Sequence, residues 1–222
     1  MTWTIPNVLT TLRLLAAPGV AVMFLFFFRP WADWFALVLF VGAAVTDWFD
    51  GYLARLWKQE SKLGAMLDPI ADKAMVIIAL LVVTGFSGMD PWILLPATVI
   101  LFREVFVSGL REFLGDTAGT LKVTKLAKWK TTAQMVALAV LFSKGIFENH
   151  LLRLGDGIGP EGVQAVLAGR APDPGGLIWT ARGMTLTWWI GVGLLWVAAA
   201  LTLQTGWDYF RKALPFLRDD QR

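Results

Sequence analysis

The sequence contains no cysteine and only one histidine, His150. The absence of cysteine excludes disulfide bonds and thiolate metal sites. A single histidine argues against histidine-based catalysis, and we expect His150 to be a solvated loop residue. The opening residues, MTWTIPNVLTTLRLLAAPG, lack a basic start before the apolar run, so we expect no cleavable signal peptide.

Charge is missing from three long stretches, residues 14–28, 75–89 and 183–204. The chain is 56% hydrophobic, and a helix that crosses a bilayer needs about 20 mostly apolar residues. The sequence therefore predicts an all-α, polytopic membrane protein, which we treat as one domain over residues 1–222. The six transmembrane helices are predicted at residues 7–29, 31–57, 67–86, 91–112, 128–148 and 183–209.

Glycine and proline are concentrated between the last two predicted spans, in GDGIGPEG and APDPGG. This composition is typical of loops, so residues 149–182 are predicted to form a soluble loop with one short helix near residues 161–168.

Basic residues divide unequally between the two sides of the predicted bundle. Twelve Lys and Arg residues fall on the side of the termini and five on the other side. The positive-inside rule then predicts that both termini are cytoplasmic and that residues 149–182 are extracytoplasmic. The basic tail, residues 210–222, is expected at the anionic inner face of the cytoplasmic membrane.

Four aspartates, Asp47, Asp50, Asp68 and Asp72, lie within 26 residues of this apolar chain. Spacings of three and four residues place each pair on one face of its helix, at the cytoplasmic ends of spans 2 and 3. Unpaired carboxylates at membrane depth are costly, and clustered hard oxygen ligands suit Mg²⁺ or Mn²⁺. The pattern predicts a divalent-metal site facing the cytoplasm.

Structural roles for some of these acids are open alternatives. Asp50-Gly51 is compatible with a turn, and Asp68-Pro69 is compatible with a helix N-cap followed by proline at the first helical position. Neither role explains Asp47 or Asp72, which lie inside the apolar periodicity. A divalent-cation transporter is another alternative, although its acids would be spread across the bilayer and these cluster at one end.

The acidic stretch fits the pattern D-x2-D-G-x2-A-R-x8-G-x3-D-x3-D without a mismatch. It resembles the signature of the CDP-alcohol phosphatidyltransferases. IPNVLTTLRLLAAP, FREVFVSGLREF and AKWKTTAQMVALA resemble members whose acceptor is sn-glycerol 3-phosphate. These similarities cover most of residues 4–142, whereas residues 149–182 are longer than the resemblance implies.

The resemblance implies transfer of a phosphatidyl group from CDP-diacylglycerol to an alcohol, with release of CMP. Phosphatidylglycerol, serine and inositol phosphate remain alternative acceptors, although basic residues in spans 4 and 5 favour a phosphorylated one. The resemblance also implies a homodimer among membrane lipids, and no nucleic-acid partner is expected.

Residue roles follow from the same resemblance. Asp47, Asp50, Asp68 and Asp72 would bind Mg²⁺ or Mn²⁺, and Asp72 would accept the proton of the attacking hydroxyl. CDP-diacylglycerol would be contacted by Thr10, Arg13, Gly51, Ala54, Arg55 and Ser61. The acceptor assignments depend on charge instead of the resemblance: the phosphate of sn-glycerol 3-phosphate is a dianion that needs cations, and we predict Arg111 first, then Lys128, Lys130 and Arg103.

The arginines have competing explanations. Arg13 and Arg55 are each compatible with snorkelling to the interface, and the motif favours a binding role most strongly for Arg55. Arg103 lies beside Glu104, so a buried structural ion pair is an alternative to phosphate binding there.

Overall fold

A computed structural model describes residues 4–56, 61–115, 125–173 and 175–217; the side chains of Pro6, 47–56 and 125–128 lie outside that description. All the regular secondary structure in these ranges is helical, which confirms the all-α prediction. The helices are α1 Ile5–Phe26, α2 Trp31–Leu56, α3 Lys62–Phe86, α4 Pro91–Leu114, α5 Lys125–Asp156, α6 Gly159–Leu167 and α7 Leu177–Leu217.

Large apolar side chains cover much of the exterior. Phe26, Phe102 and Leu81 are among those left exposed, and exposed apolar surface on this scale requires lipid around it. Within the described part of the chain, four helical segments are long and apolar enough to cross a bilayer: Asn7–Phe26, Pro91–Leu114, Trp129–Asp156 and Leu177–Leu217. The chain is therefore a membrane protein, and the predicted count of six spans stays a prediction.

The start of α3 differs from the sequence prediction. The helix begins at Lys62, where the Ser61 hydroxyl accepts a hydrogen bond from the Gly64 amide at 3.0 Å. Asp68-Pro69 consequently lies inside the helix, and the prediction of an N-cap there is wrong. The alternative of a turn at Asp50-Gly51 is also wrong, because α2 continues through Leu56.

Residues 149–182 are more helical than their composition predicts. α5 continues to Asp156 and α7 begins at Leu177, so the loop prediction is wrong for both ends of this segment. The short helix predicted near residues 161–168 is confirmed as α6. His150 is exposed as expected, but it lies on α5.

A side-chain cap explains where α7 starts. The Asp173 carboxylate accepts hydrogen bonds from the amides of Leu177 and Ile178, at 2.7 and 3.0 Å. These amides belong to the first turn, which has no partners within the helix itself. Gly176, at φ +73, supplies the left-handed turn between cap and helix.

The chain forms two compact units. The first comprises Met1–Val83 and Leu138–Gly191. In it α1 packs against α2, and small buried side chains allow the close approach. Phe142 of α5 packs against Phe40 of α2, with ring centroids 5.7 Å apart. The small buried residues are Ala17 on α1 and Ala32, Ala36 and Ala43 on α2.

The second unit comprises Thr84–Ala137 and Val192–Arg222. A cluster of buried residues from α4 and α7 forms part of its core. The members of this cluster are Val107, Leu114, Tyr209 and Ala213.

Candidate active site

A buried polar stripe runs along the first half of α1. Asn7, Thr10 and Arg13 are spaced three residues apart, and all three are buried in an otherwise apolar helix. Polar groups buried at membrane depth need partners, because hydrocarbon offers them no hydrogen bonds. The stripe therefore marks the face of α1 that meets other polar groups.

Two of the predicted metal ligands are those partners. The Thr10 hydroxyl donates to Asp68 Oδ1 at 2.7 Å. Arg13 Nη1 donates to Asp72 Oδ1 at 3.0 Å, with side-chain exposures of 2% for the arginine and 50% for the aspartate. Helix α1 thus contacts both acids on one face of α3, and the Asp72 side chain remains half exposed.

The N-terminal ends of α1 and α3 are joined by a third contact. The Ser61 hydroxyl donates to Asn7 Oδ1 at 2.7 Å while accepting from the Gly64 amide. A Cβ at position 64 would lie 2.8 Å from Asn7 Oδ1, so any other residue there would force the Asn7 side chain to shift. This explains the glycine of the sequence pattern.

Asn7 is the site residue that the sequence analysis missed. It lies one turn before Thr10 and two turns before Arg13, on the same face of α1. The regular spacing of three polar residues in an apolar segment was the available signal.

The two described carboxylates, Asp68 and Asp72, suit a hard divalent cation. Asp68 and Asp72 supply carboxylates on successive turns of α3, and each uses Oδ1 for its contact with α1. Carboxylate oxygens are the ligands that Mg²⁺ and Mn²⁺ prefer. Within the described side chains, no three potential ligands come together, and those of Asp47 and Asp50 lie outside them.

The last three turns of α2 carry the other residues of the pattern. The backbone is helical through Leu56, so Asp47, Asp50, Gly51 and Ala54 keep the spacing of one helical stripe. Their side chains and that of Arg55 lie outside the described ones. The meeting of this stripe with Asp68 and Asp72 stays a prediction.

Two of the cations predicted for the acceptor lie in one network of the second unit. Arg103 Nη1 is 3.1 Å from Glu104 Oε1, and the Lys130 ammonium contacts the same oxygen. Arg103 Nη2 also donates to the Thr205 hydroxyl at 3.4 Å. The ion pair that we considered for Arg103 is present, and it includes Lys130.

Arg111 is in a different environment. Its guanidinium lies over the Tyr209 ring, 5.2 Å from the centroid, and the side chain is exposed. No carboxylate of the described chain lies within 4.0 Å of it. Arg111 is thus exposed beside an aromatic ring, whereas the Lys128 side chain lies outside the described ones.

The sequence of this chain is similar to a known protein family and to named proteins. The family model described as CDP-alcohol phosphatidyltransferase matches residues 3–204. A protein of Cereibacter sphaeroides named CDP-diacylglycerol–glycerol-3-phosphate 3-phosphatidyltransferase is 66% identical over 227 aligned positions, covering 100% of both chains. Residues 149–182 therefore fall within the alignment to a full-length relative.

More distant relatives carry the same name. The protein of Escherichia coli K12 is 43% identical over 145 positions, which cover 64% of this chain and 78% of that one. The protein of Salmonella typhimurium is 43% identical over 143 positions, with the same coverage of 64% and 78%. With the family model matched along most of its length, the chain belongs to the CDP-alcohol phosphatidyltransferase family.

Proposed function

We propose that this protein transfers a phosphatidyl group from CDP-diacylglycerol to sn-glycerol 3-phosphate, giving phosphatidylglycerophosphate and CMP. The observation that carries the proposal is the contact of Thr10 and Arg13 with Asp68 and Asp72, which gathers two motif acids on one polar face. The full-length relative named for this activity supports the choice of acceptor. The family is one of transferases, so we do not carry the cation-transporter alternative forward.

The chemistry needs a divalent cation, Mg²⁺ or Mn²⁺, for which we propose Asp47, Asp50, Asp68 and Asp72 as ligands. When bound, the cation supplies neutralisation of the charge that develops on the pyrophosphate oxygens. The carboxylates contribute by fixing the position of that positive charge.

Asp72 is the proposed proton acceptor. The primary hydroxyl of sn-glycerol 3-phosphate attacks the β-phosphorus, a new P–O bond forms, and the bond to the CMP oxygen breaks. The hydroxyl proton passes to the Asp72 carboxylate, whose half-exposed side chain is accessible to the acceptor. Arg13 holds one oxygen of this carboxylate and thereby orients the other.

The residues predicted to contact the donor fall into two groups, and we propose direct contact for the group on α2. Gly51, Ala54 and Arg55 would meet the nucleotide and its phosphates, since small residues allow a close approach and arginine binds phosphate. Thr10, Arg13 and Ser61 lie together on the polar face that α1 and α3 share. We propose that these three shape the site chiefly through Asp68, Asp72 and Asn7.

The acceptor phosphate is a dianion and needs cations. Arg111 is the first choice, because its exposed guanidinium has no carboxylate partner in the described chain. Arg103 and Lys130 both contact the carboxylate of Glu104, and we propose that this network lies beside the acceptor phosphate. Lys128 completes the proposed set.

We also propose six spans in the cytoplasmic membrane, with both termini and the active site on the cytoplasmic side, and a homodimer. The absence of cysteine makes the topology directly testable, because one introduced cysteine gives one labelling site. Arg170→Cys should react with an impermeant thiol reagent in intact cells, and Gln221→Cys should react only after permeabilisation. Cross-linking in membranes tests the homodimer.

An acceptor panel tests the proposed activity. Purified protein with CDP-diacylglycerol and Mg²⁺ should release CMP on addition of sn-glycerol 3-phosphate. Serine, inositol phosphate and phosphatidylglycerol should give no release above background. CMP release with one of these three alone would keep the family and overturn the acceptor.

A further inference from the structure

The first unit contains a cavity of ≈ 280 Å³ beside the turn between α1 and α2. Apolar and aromatic side chains form most of its wall, and two residues of α5 with nitrogen donors, His150 and Arg153, complete it. The apolar part of the wall consists of Pro30, Trp34, Ile146 and Phe147.

This cavity is far from the proposed catalytic residues. Trp34 precedes Asp50 by sixteen residues on the same helix, which corresponds to about 24 Å along its axis. A ligand in the cavity is therefore distinct from the donor and the acceptor of the proposed reaction.

The two carboxylates nearest the cavity in sequence, Asp33 and Glu148, each form ion pairs with other cations. Asp33 is buried and accepts two hydrogen bonds from Arg29, at 2.7 and 2.8 Å, and a third from Asn149 at 3.2 Å. Glu148 lies 3.0 Å from Lys144 and 3.6 Å from Arg29. Two acids thus face two cations, and neither acid is available to neutralise Arg153.

Arg153 and His150 are exposed and lie one turn apart on α5. No carboxylate of the described chain lies within 4.0 Å of either side chain, Asp156 included. The cavity therefore combines apolar walls with a guanidinium at its edge that no carboxylate of the described chain contacts within 4.0 Å. Such a site is complementary to a negatively charged group that carries an apolar part.

Aromatic residues place the cavity at a membrane interface. Phe28, Trp31 and Trp34 surround the turn between α1 and α2 and are exposed. Aromatic side chains are enriched at the level of the lipid headgroups, where one edge of the ring contacts acyl chains and the other contacts water. The cavity thus opens where phospholipid phosphates lie.

We propose that this cavity binds one anionic glycerophospholipid, with the phosphate at Arg153 and His150 and the start of an acyl chain against Trp34, Ile146 and Phe147. Its volume is near the lower end for ligand pockets, about 300–1,000 Å³. It therefore accommodates the headgroup region, and the remaining acyl chain stays in the bilayer.

Native mass spectrometry of the purified full-length protein tests the proposal, with dioleoylphosphatidylglycerol and dioleoylphosphatidylcholine as probes. We expect the wild type to retain phosphatidylglycerol preferentially. Arg153→Gln should weaken this binding about fivefold, the effect of one cation near an anionic lipid. Ile146→Trp, which fills the cavity and keeps the charges, should weaken it similarly.

Arg170→Gln is the matched control, because it removes an exposed arginine outside the cavity lining. It should leave phosphatidylglycerol binding unchanged, and all variants should retain CMP release. Equal retention of the two lipids by the wild type would overturn the proposal. Unchanged binding in Arg153→Gln would also overturn it.

Discussion

Arg13 Nη1 lies 3.0 Å from Asp72 Oδ1, and this contact joins the first and third helices of the chain. The arginine is almost fully buried, while the carboxylate is half exposed. A buried cation that contacts an accessible acid fixes the orientation of that acid without occupying its open side. We propose from this contact that Arg13 positions Asp72.

Replacing Arg13 should separate positioning from substrate binding. Arg13→Gln removes the charged donor, so we expect kcat to fall by roughly 10- to 100-fold with little change in the KM for CDP-diacylglycerol. Arg13→Lys retains the charge and should recover part of kcat. Steady-state CMP release measures both constants. A raised KM for the donor at unchanged kcat would show that Arg13 binds CDP-diacylglycerol instead.

Gly64→Ala should disturb the contact between α1 and α3. The new Cβ would lie 2.8 Å from Asn7 Oδ1, so we expect a loss of roughly 1–3 kcal/mol in stability and reduced activity. Gly109→Ala is the control, because no atom lies within 4 Å of a Cβ there. Thermal unfolding in detergent measures both.

A double-mutant cycle identifies the cause of the Gly64 effect. Removing the amide in Asn7→Ala should make the additional cost of Gly64→Ala small, since the clashing atom is gone. Simple additivity of the two substitutions would contradict the proposed clash.

Gly145→Ala should destabilise the first unit. The site of the substitution is next to Asp33, near the end of α2 that is opposite the acidic stripe. A Cβ at position 145 would collide with Asp33 Oδ1 and Arg29 Nη2, an ion pair in which the aspartate is buried and the arginine is partly exposed. Breaking a buried pair costs about 3–5 kcal/mol, so we expect a substantial drop in Tm. Gly42→Ala, with nothing within 4 Å of its Cβ, should leave the Tm nearly unchanged. Equal Tm values for the two variants would refute this explanation.

Glu104→Gln should strongly affect the second unit. It removes the carboxylate that Arg103 and Lys130 share, and it leaves two largely buried cations without this partner. The expected loss of stability is about 3–5 kcal/mol. Asp208→Asn breaks the exposed pair with Lys212 and should cost less than about 1 kcal/mol. Chemical denaturation compares the two; similar losses would contradict the structural role of Glu104.

The helical architecture and the common face of Asp68 and Asp72 on α3 were predictable because both depend on local patterns. Apolar runs locate helices in a membrane protein, and carboxylates three or four residues apart share a helix face. The spacing of Asp68 and Asp72 therefore predicted a shared site before the partners on α1 were known.

Contacts between distant segments were not predictable in the same way. Asn149 hydrogen-bonds Asp33 across 116 residues, and hydropathy contains no information about such pairs. The helical ends of residues 149–182 were missed for a related reason, because the glycine and proline content there suggested a loop. The Asp173 cap and the continuation of α5 depend on hydrogen bonding and packing instead.

The most direct test of the central claim measures CMP release from CDP-diacylglycerol by the wild type and Asp72→Asn, with Mg²⁺ or with EDTA. The wild type should release CMP only when sn-glycerol 3-phosphate and Mg²⁺ are both present, and restored Mg²⁺ should reverse the effect of EDTA. Asp72→Asn should lose about 10²- to 10⁴-fold in rate while still binding CDP-diacylglycerol. CMP release that survives EDTA, or an Asp72→Asn variant as active as the wild type, would contradict the account.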